Sequence, residues 1–522
     1  MTAVGTSPHT QAGAFSPRSN MTEVELKLEI PPTSLKRVSA ALRAGKTSRQ
    51  RLRAVYFDTA DGALARHGVV VRQRKEGGQW VQTAKGPSSS LVERLEHNVT
   101  LALAKTSATS DVDLTLHAAT LVGKAIESAL NVKAGEASPP LTAIYETEIL
   151  RITRIAEFDG SLVELAFDRG YIMADGQSLD ICELEIELKE GLPEHAVALA
   201  RQWCAEYGLW LSSITKSMKG QRMRGENSTN TAVTATAPTF ARNATGGQIV
   251  QAVIQSCLRQ ILPNASELAS GQARGSDAAD LVHQLRVGIR RLRTALRELR
   301  ELSDELDPLW EKTLADVFRQ LGRHRDHNQL EHTLQPRLEA AGGPPLTFGQ
   351  ANRAALDPGT VVRNLGFQDC LLCLIGFTHR VAPARSEQPS STRSLAKEIL
   401  TRRLKKLHSQ VQKDGKQFLA LTDEQQHRVR KRLKRLRYLA EFCAPFFPHR
   451  KTNAFIAALK PAQDALGLYI DELIALNVYR VMAVENERAS FGLGWLTARR
   501  LPQAKRCRKE INALAKAHAF WD

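Results

Sequence analysis

The sequence has no run of about 18 apolar residues, so it offers no membrane-spanning helix. Residues 1–20 lack the apolar stretch of a secretory signal and are expected to be a disordered lead, with Met21 as an alternative start. No Walker-type glycine-rich loop is present, which excludes a P-loop enzyme. Aromatic residues make up only 6% of the chain and few flank its basic rows. No stacking platform for single-stranded nucleic acid is therefore expected, and no specific nucleic-acid partner. The seven cysteines are scattered and odd in number, which fits a reducing cytoplasm better than a disulfide framework. Cys370 and Cys373 are three residues apart, but Leu371 and Leu372 between them lie in an apolar helical run, so both read as core thiols.

What is present begins with length and charge. The 522 residues are too many for one compact core, and two or more domains are expected. Lys+Arg number 72 against 55 Asp+Glu, a net of +17. Residues 1–224 hold 27 basic and 26 acidic residues, a net of +1, whereas residues 225–522 hold 45 and 29, a net of +16. A polyanionic partner is thus expected for the second half. Residues 21–224 alternate short β-like runs with helical patches. Residues 225–247 are rich in Ser, Thr, Ala and Gly and read as a flexible linker, and residues 248–522 are helical in pattern. Loops are expected near 341–360 and 384–393.

The helical half repeats itself. His283, Arg286, Arg290, Arg291 and Arg293 recur at the same offsets, 144 residues later, as His427, Arg430, Lys434, Arg435 and Arg437. Leu321-Gly322 precedes Asp326, and Leu466-Gly467 precedes Asp471, by similar steps. Two related helical bundles follow, with halves near 248–380 and 394–522. Leu281, Leu285, Ile289, Leu292, Leu296 and Leu299 form an apolar stripe, beside which His283, Arg286, Arg290, Arg293, Arg297 and Arg300 form a basic one. Like charges so spaced repel unless an anion sits on them.

In the first half, side chains of a strand alternate between its faces. Glu23, Glu25 and Lys27 share one face, as do Arg72 with Arg74, Thr83 with Lys85, and Arg94 with Glu96. Glu164 and Asp168, then Glu183, Glu185, Glu187 and Lys189, continue the pattern. Carboxylates cluster on the first and last strands, arginines on the middle ones. A wet outer face does not segregate by sign in this way, so a closed barrel with a polar interior is expected, with residues 116–130 and 194–207 as covering helices. Converging carboxylates suit Mg²⁺ or Mn²⁺, and converging Arg and Lys suit phosphate oxygens. Together they suit phosphoryl transfer.

These residues resemble the CYTH family, the triphosphate tunnel metalloenzymes. The series runs from Glu23-x-Glu25-x-Lys27 through Tyr56-Phe57-Asp58-Thr59, Gly68, Arg72-x-Arg74, Thr83-x-Lys85 and Arg94-x-Glu96 to Arg154, Glu164-x3-Asp168, Glu183-x-Glu185-x-Glu187 and Lys216. Ala60 and Asn98 depart from the family pattern. The resemblance implies an eight-stranded antiparallel tunnel. It implies that Lys27, Arg72, Arg74, Lys85, Arg94, Arg154 and Lys216 grip the triphosphate and that Glu23, Glu25, Asp168, Glu185 and Glu187 hold the divalent cations. Glu96 would act near a second cation and the attacking water, with Lys85 the other catalytic candidate. Glu183 could replace or assist its neighbours.

Residues 248–522 resemble the CHAD domain, the conserved histidine α-helical domain, through the two His-x-x-Arg motifs and their Leu-Gly partners. The resemblance implies two four-helix bundles binding inorganic polyphosphate. His283, Arg286, Arg290, Arg291, Arg293 and Arg297 would line it from one half. His427, Arg430, Lys431, Lys434, Arg435 and Arg437 would do so from the other. Gly288 inside the first motif is expected to let a neighbouring helix approach. The whole is expected to be a multidomain α+β protein and a bacterial cytoplasmic inorganic triphosphatase, tethered to polyphosphate granules by its second half. The alternatives are a polyphosphate-granule protein with an inactive tunnel and, within the tunnel family, a thiamine triphosphatase or adenylate cyclase.

Overall fold

A computed structural model of the chain describes residues 22–87, 93–101, 112–132, 136, 138–224, 232–273, 275–346, 357–380 and 393–522. The expected lead, residues 1–20, lies outside the described residues. The first half is a nine-stranded antiparallel sheet. Its strands are β1 (Thr22–Glu29), β2 (Ser48–Asp58), β3 (Val70–Glu76), β4 (Gln79–Gly86), β5 (Glu93–Thr100), β6 (Thr142–Phe158), β7 (Ser161–Ala174), β8 (Gln177–Glu190) and β9 (Trp210–Leu211). They are ordered β5-β4-β3-β2-β6-β7-β8-β1-β9. β1 also meets β5 over three residue pairs, Thr22 to Leu95, Glu23 to Arg94 and Val24 to Glu93, which curls the sheet around an interior. In place of the expected closed eight-stranded barrel, the chain forms this curled nine-stranded sheet. The sheet has nine strands, because the short β9 adds beside the Leu28–Glu29 end of β1. Nothing in the pattern of a two-residue strand announces it.

The register sets the chemistry of the interior. Glu25 pairs with Glu187, Lys27 with Glu185 and Glu29 with Glu183, so the charged positions of β1 and β8 share one face. The opposite face of β1, β8 and the adjoining β7 presents Leu26, Leu28, Leu165, Phe167, Leu184 and Ile186, all buried. Each such side chain contributes about 1.5–3 kcal/mol by leaving water. Helices α1 (Leu35–Arg43) and α4 (Pro193–Tyr207) cover this apolar face. Helices α2 (Ala63–Arg66) and α3 (Leu121–Leu130) cover the other side, packing Leu64, Val122 and Ile126 on Val71 and Ala84. The two expected covering helices correspond to α3, with the 3₁₀ turn before it, and α4. Helix α5 (Lys216–Met223) closes this half, its Gly220 pressed on Tyr145, where an added Cβ would lie 2.5 Å from the ring.

The second half is helical. Its elements are α6 (Gly246–Ser270), α7 (Gly275–Glu298), α8 (Pro308–Gln329), α9 (Gln335–Ala340), α10 (Pro358–Arg363) and α11 (Leu365–His379), then α12 (Arg393–Lys416), α13 (Asp423–Cys443), α14 (His449–Ala458), α15 (Lys460–Met482) and α16 (Ala489–Ala513). Among the described residues, each repeat thus carries four long helices. Gly288 faces α6, where a Cβ would stand 2.8 Å from Ile261, so the glycine does permit close helix approach. Residues 225–231 lie outside the described residues, but 232–245 depart from a flexible linker. Asn264 clasps the Val233 backbone from both sides, at 3.1 and 2.9 Å, and Arg393 Nη1 donates to the Ala241 carbonyl at 2.9 Å. A polar, small-residue segment finds its partners on distant helices, which composition does not reveal.

The two halves share one hydrophobic core. Leu211 N donates to Gln368 Oε1 at 2.8 Å, Arg201 pairs with Asp369 at 2.6 Å, and Ser213 N donates to Ser266 Oγ at 3.0 Å. Arg222 of α5 donates to Glu267 of α6 at 3.0 Å. Cys370 is buried and Cys373 half-buried in α11, and burial raises both thiols, as expected of core residues. Among the described residues no helix is long and apolar enough to cross a membrane.

Candidate functional site

The curled sheet encloses a cavity of about 570 Å³. Positions on each of the eight strands β1 to β8 line it, among them Glu25, Lys27, Arg72, Arg74, Lys85, Glu96, Arg151, Asp168, Glu183, Glu185 and Glu187, and Lys216 enters from α5. Asp168 and Glu183 are fully buried, whereas Glu164, Glu187 and Lys189 are progressively more exposed, from 20% to 37%. Depth therefore runs from the Asp168 level towards the Glu164–Lys189 level.

At the deep level, Asp168, Glu183 and Glu185 bring one oxygen each to within 4.8 Å of one another. Hard carboxylate oxygens converging in this way fit a divalent cation such as Mg²⁺. Four basic side chains, Arg151, Lys216, Lys219 and Lys27, engage them. Arg151 donates to both oxygens of Asp168, at 2.7 and 2.6 Å, and also to Glu185. Lys216 Nζ lies 2.6–2.7 Å from Asp168, Glu183 and Glu185. Lys219 bridges Glu29 at 2.8 Å and Glu183 at 3.3 Å.

This charge balance sets the ionisation. Burial opposes the charge on Glu183, but Lys216, Lys27 and Lys219 outweigh it and hold the carboxyl at about 2. Glu185 is likewise held well below the usual range, burial being overcome by Lys216 and Arg151. Lys216 is raised well above its ordinary value, because its three carboxylates outweigh burial. Lys27 goes the other way: burial lowers it, and Glu183 at 4.0 Å offsets this only in part. Glu183 and Glu185 thus stay ionised at neutral pH. On the middle strands Lys85 pairs with Glu96 and Arg74 with Glu76, while Arg72 Nη1 donates to the Tyr56 hydroxyl at 3.4 Å. Burial opposes ionisation of Tyr56, yet Arg72 lowers its pKa below the ordinary value.

Most of the expected residues of this half meet in the cavity, and one does not. Arg154 lies on the other face of β6, where its Nη1 donates to the Ala41 carbonyl of α1 at 3.2 Å. Arg151, absent from the sequence expectation, takes the interior position. Two arginines three residues apart in a strand face opposite ways, so only one could point inward. Glu183, expected to replace or assist its neighbours, is a member of the carboxylate trio. Glu23 and Arg94 face each other in the β1–β5 register, but their side chains lie outside the described residues.

In the helical half, α7 and α13 pack side by side and their basic rows converge. His427 is pushed down to about 4 by burial and then by Lys431, Arg430 and, from α7, Arg290. Lys431 is lowered by burial and then by Arg293 and Arg297 of α7. Arg286, Arg290 and Arg293 gather over the Phe318 ring at 4.4, 5.0 and 5.7 Å. Arg293 and Arg297 also share Glu311, at 2.7 and 2.6 Å. Arg430 pairs with Asp471 at 3.2 Å, and Arg437 with Glu441 at 2.8 Å. His283 and Lys434 lie half-buried on the same two helices.

Arg291 and Arg435 depart from the expected surface. Arg291 is 1% exposed; it donates to the Thr236 carbonyl at 3.1 Å and faces Glu441 of α13 at 3.6 Å. Arg435 donates in turn to Glu298 of α7 at 2.9 Å, and Glu298 is itself buried. These reciprocal pairs join the two repeats. One residue further along a helix turns a side chain by about 100°, which takes Arg291 off the row of Arg290 and into the seam.

Comparison with known proteins bears on both halves. The CYTH domain model matches residues 21–220 and the CHAD domain model residues 252–479. An inorganic triphosphatase of Haemophilus influenzae is 29% identical over 204 residues, covering 38% of this chain and 54% of the relative. An uncharacterized protein of Mycobacterium tuberculosis is 27% identical over 256 residues, covering 46% of this chain and 48% of the relative. The chain thus spans about half the length of these curated relatives. The crystal structure of the CHAD domain from the plant Ricinus communis is 22% identical with a TM-score of 0.42, over 54% of this chain and 97% of that one.

Proposed function

Since the chain carries a CYTH domain followed by a CHAD domain, we propose that it is a divalent-metal-dependent inorganic triphosphatase. It hydrolyses tripolyphosphate to pyrophosphate and phosphate, and its helical half binds inorganic polyphosphate. The observation that carries this reading is the enclosure in one cavity of the Asp168–Glu183–Glu185 trio with Arg72, Arg74, Lys85, Arg151 and Lys216. The name of the Haemophilus influenzae relative supports it.

Asp168, Glu183 and Glu185, with Glu25 and Glu187 lining the same wall, would hold the cation, Mg²⁺ or Mn²⁺. When bound, such an ion supplies neutralisation of phosphate oxygens and lowers the pKa of water. The chain's own groups do the rest. Arg72 and Arg74 offer forked donors to phosphate oxygens, and Lys27 and Lys85 add point charges. Lys85 pairs with Glu96 in the wall of the same cavity, beside the proposed phosphate path. Burial of the deep carboxylates excludes bulk solvent, so each fixed charge acts in a low dielectric. In the helical half the paired rows of α7 and α13 would lie along a polyphosphate chain and hold the enzyme where such chains accumulate, as on granules.

The test is phosphate release from tripolyphosphate, ATP and thiamine triphosphate with Mg²⁺ or Mn²⁺. Tripolyphosphate should be cleaved fastest, and Arg72→Ala and Glu185→Gln should each lose most of the rate. Equal turnover in these variants sinks the assignment.

A further inference from the structure

The deep carboxylates already hold a cation, and it belongs to the chain. Lys216 Nζ is 2.7 Å from Asp168 Oδ2, 2.6 Å from Glu183 Oε1 and 2.6 Å from Glu185 Oε1. Among the described residues, these three have oxygens that converge closely enough to ligate a metal. An ammonium at the centre of the trio and a divalent cation on the same oxygens exclude each other, both by volume and by like-charge repulsion.

The backbone of α5 is not free to carry Lys216 away. Thr215 caps the helix by accepting from Met218 N at 3.1 Å. Gly220 is pressed on Tyr145, and Arg222 is tied to Glu267 of the helical half. Lys216 is the first residue of this helix, and its flexible four-carbon stem is the part that can move. The same cavity holds Arg72, Arg74 and Lys85, the cations assigned to phosphate.

We propose that Lys216 is a tethered counter-ion. In the metal-free chain it occupies the trio, and it swings towards the phosphate when a divalent cation takes its place, so that metal and triphosphate load together. No bond forms or breaks in this exchange: one ammonium leaves three carboxylates for phosphate oxygens as the divalent ion enters. The inference rests on the triphosphatase reading of the cavity. It adds that the empty enzyme resists metal on its own.

The experiment measures Mn²⁺ binding to the full chain without substrate, by the electron paramagnetic resonance of free Mn²⁺. Lys216→Met and Lys216→Gln should each bind Mn²⁺ roughly tenfold more tightly than the unsubstituted chain, a difference of one decade in Kd. Unchanged or weaker binding in both variants, with circular dichroism intact, overturns the exchange while leaving the triphosphatase reading standing if hydrolysis persists in the unsubstituted chain. Failure of every form to bind Mn²⁺ overturns both. A second measurement needs no substitution. With ¹⁵Nζ-labelled lysine, the Lys216 ammonium resonance should shift on adding Mg²⁺, and a resonance that stays in place refutes the exchange.

Discussion

Arg151→Ala and Arg154→Ala should behave very differently, although the two arginines sit three residues apart on one strand. Arg151 makes two charge-assisted hydrogen bonds to Asp168, at 2.7 and 2.6 Å, and a further one to Glu185. Asp168 is fully buried and Arg151 is only 18% exposed, so solvent does little to replace the lost partner. Removing one member of a buried ion pair costs about 3–5 kcal/mol. Here Lys216 still faces the trio, so we expect the low end, about 3 kcal/mol. Catalysis should suffer too. Losing one preorganised charge donor costs on the order of 10²–10³ in kcat. Arg154 makes one bond to the Ala41 carbonyl, at 3.2 Å, outside the cavity. Its removal should cost about 1 kcal/mol of stability and leave kcat almost unchanged. Initial rates of phosphate release with Mg²⁺, alongside urea unfolding of both variants, measure the contrast. Arg151→Lys should fall between them, since it keeps the charge and loses the fork. If Arg154→Ala loses as much kcat as Arg151→Ala while remaining folded, the assignment of the interior face of β6 is wrong.

Three further outcomes are expected. His427 is held near 4 in the folded chain against about 6.5 when unfolded, so its stabilising contribution is full above about pH 6.5 and is lost as pH falls towards 4. A polyphosphate chain laid beside His427 would offset Lys431, Arg430 and Arg290 and raise its pKa. Binding near pH 5.5, about midway between those two values, should therefore take up a proton, seen by calorimetry in two buffers of different ionisation enthalpy, and His427→Gln should abolish that uptake. Arg290→Glu combined with Lys434→Glu should weaken retention of long polyphosphate by at least about tenfold at low salt, with tripolyphosphate hydrolysis intact; unchanged retention refutes the α7–α13 surface. Glu267→Ala, which frees Arg222 and with it α5, should raise KM for tripolyphosphate several-fold while leaving polyphosphate retention alone, and equal kinetics would show that the contact does not position Lys216.

The local patterns carried far. Alternation along β1 and β8 places Glu25, Lys27, Glu183, Glu185 and Glu187 on one face, and the register confirms that common face. The three- and four-residue spacing of Leu281, Leu285, Ile289 and Leu292 puts them in the core and leaves Arg290 and Arg293 beside it. Both results depend only on the geometry of one strand or one helix. The pattern failed where two elements had to be known together. β6 reads as Ile-Tyr-Glu-Thr-Glu-Ile-Leu-Arg, with no clean alternation to say whether Arg151 or Arg154 faces the carboxylates. Arg291 and Arg435 look like surface cations beside their neighbours until Glu441 and Glu298 arrive from the other repeat. The segment 232–245 looks unstructured until Asn264 and Arg393 supply its hydrogen bonds.

The amino-acid order alone therefore determined a β-rich half with charges turned inward and a duplicated helical half that carries nearly all of the net positive charge. Periodicity and charge sign are properties of neighbouring residues and survive without a fold. Tertiary structure alone decided the ninth strand, the choice of Arg151, the seam between α7 and α13, and the seat of Lys216 among Asp168, Glu183 and Glu185. Each of those joins groups far apart in the chain, and strand register and helix docking, which set which atoms meet, arise only once the whole molecule has packed.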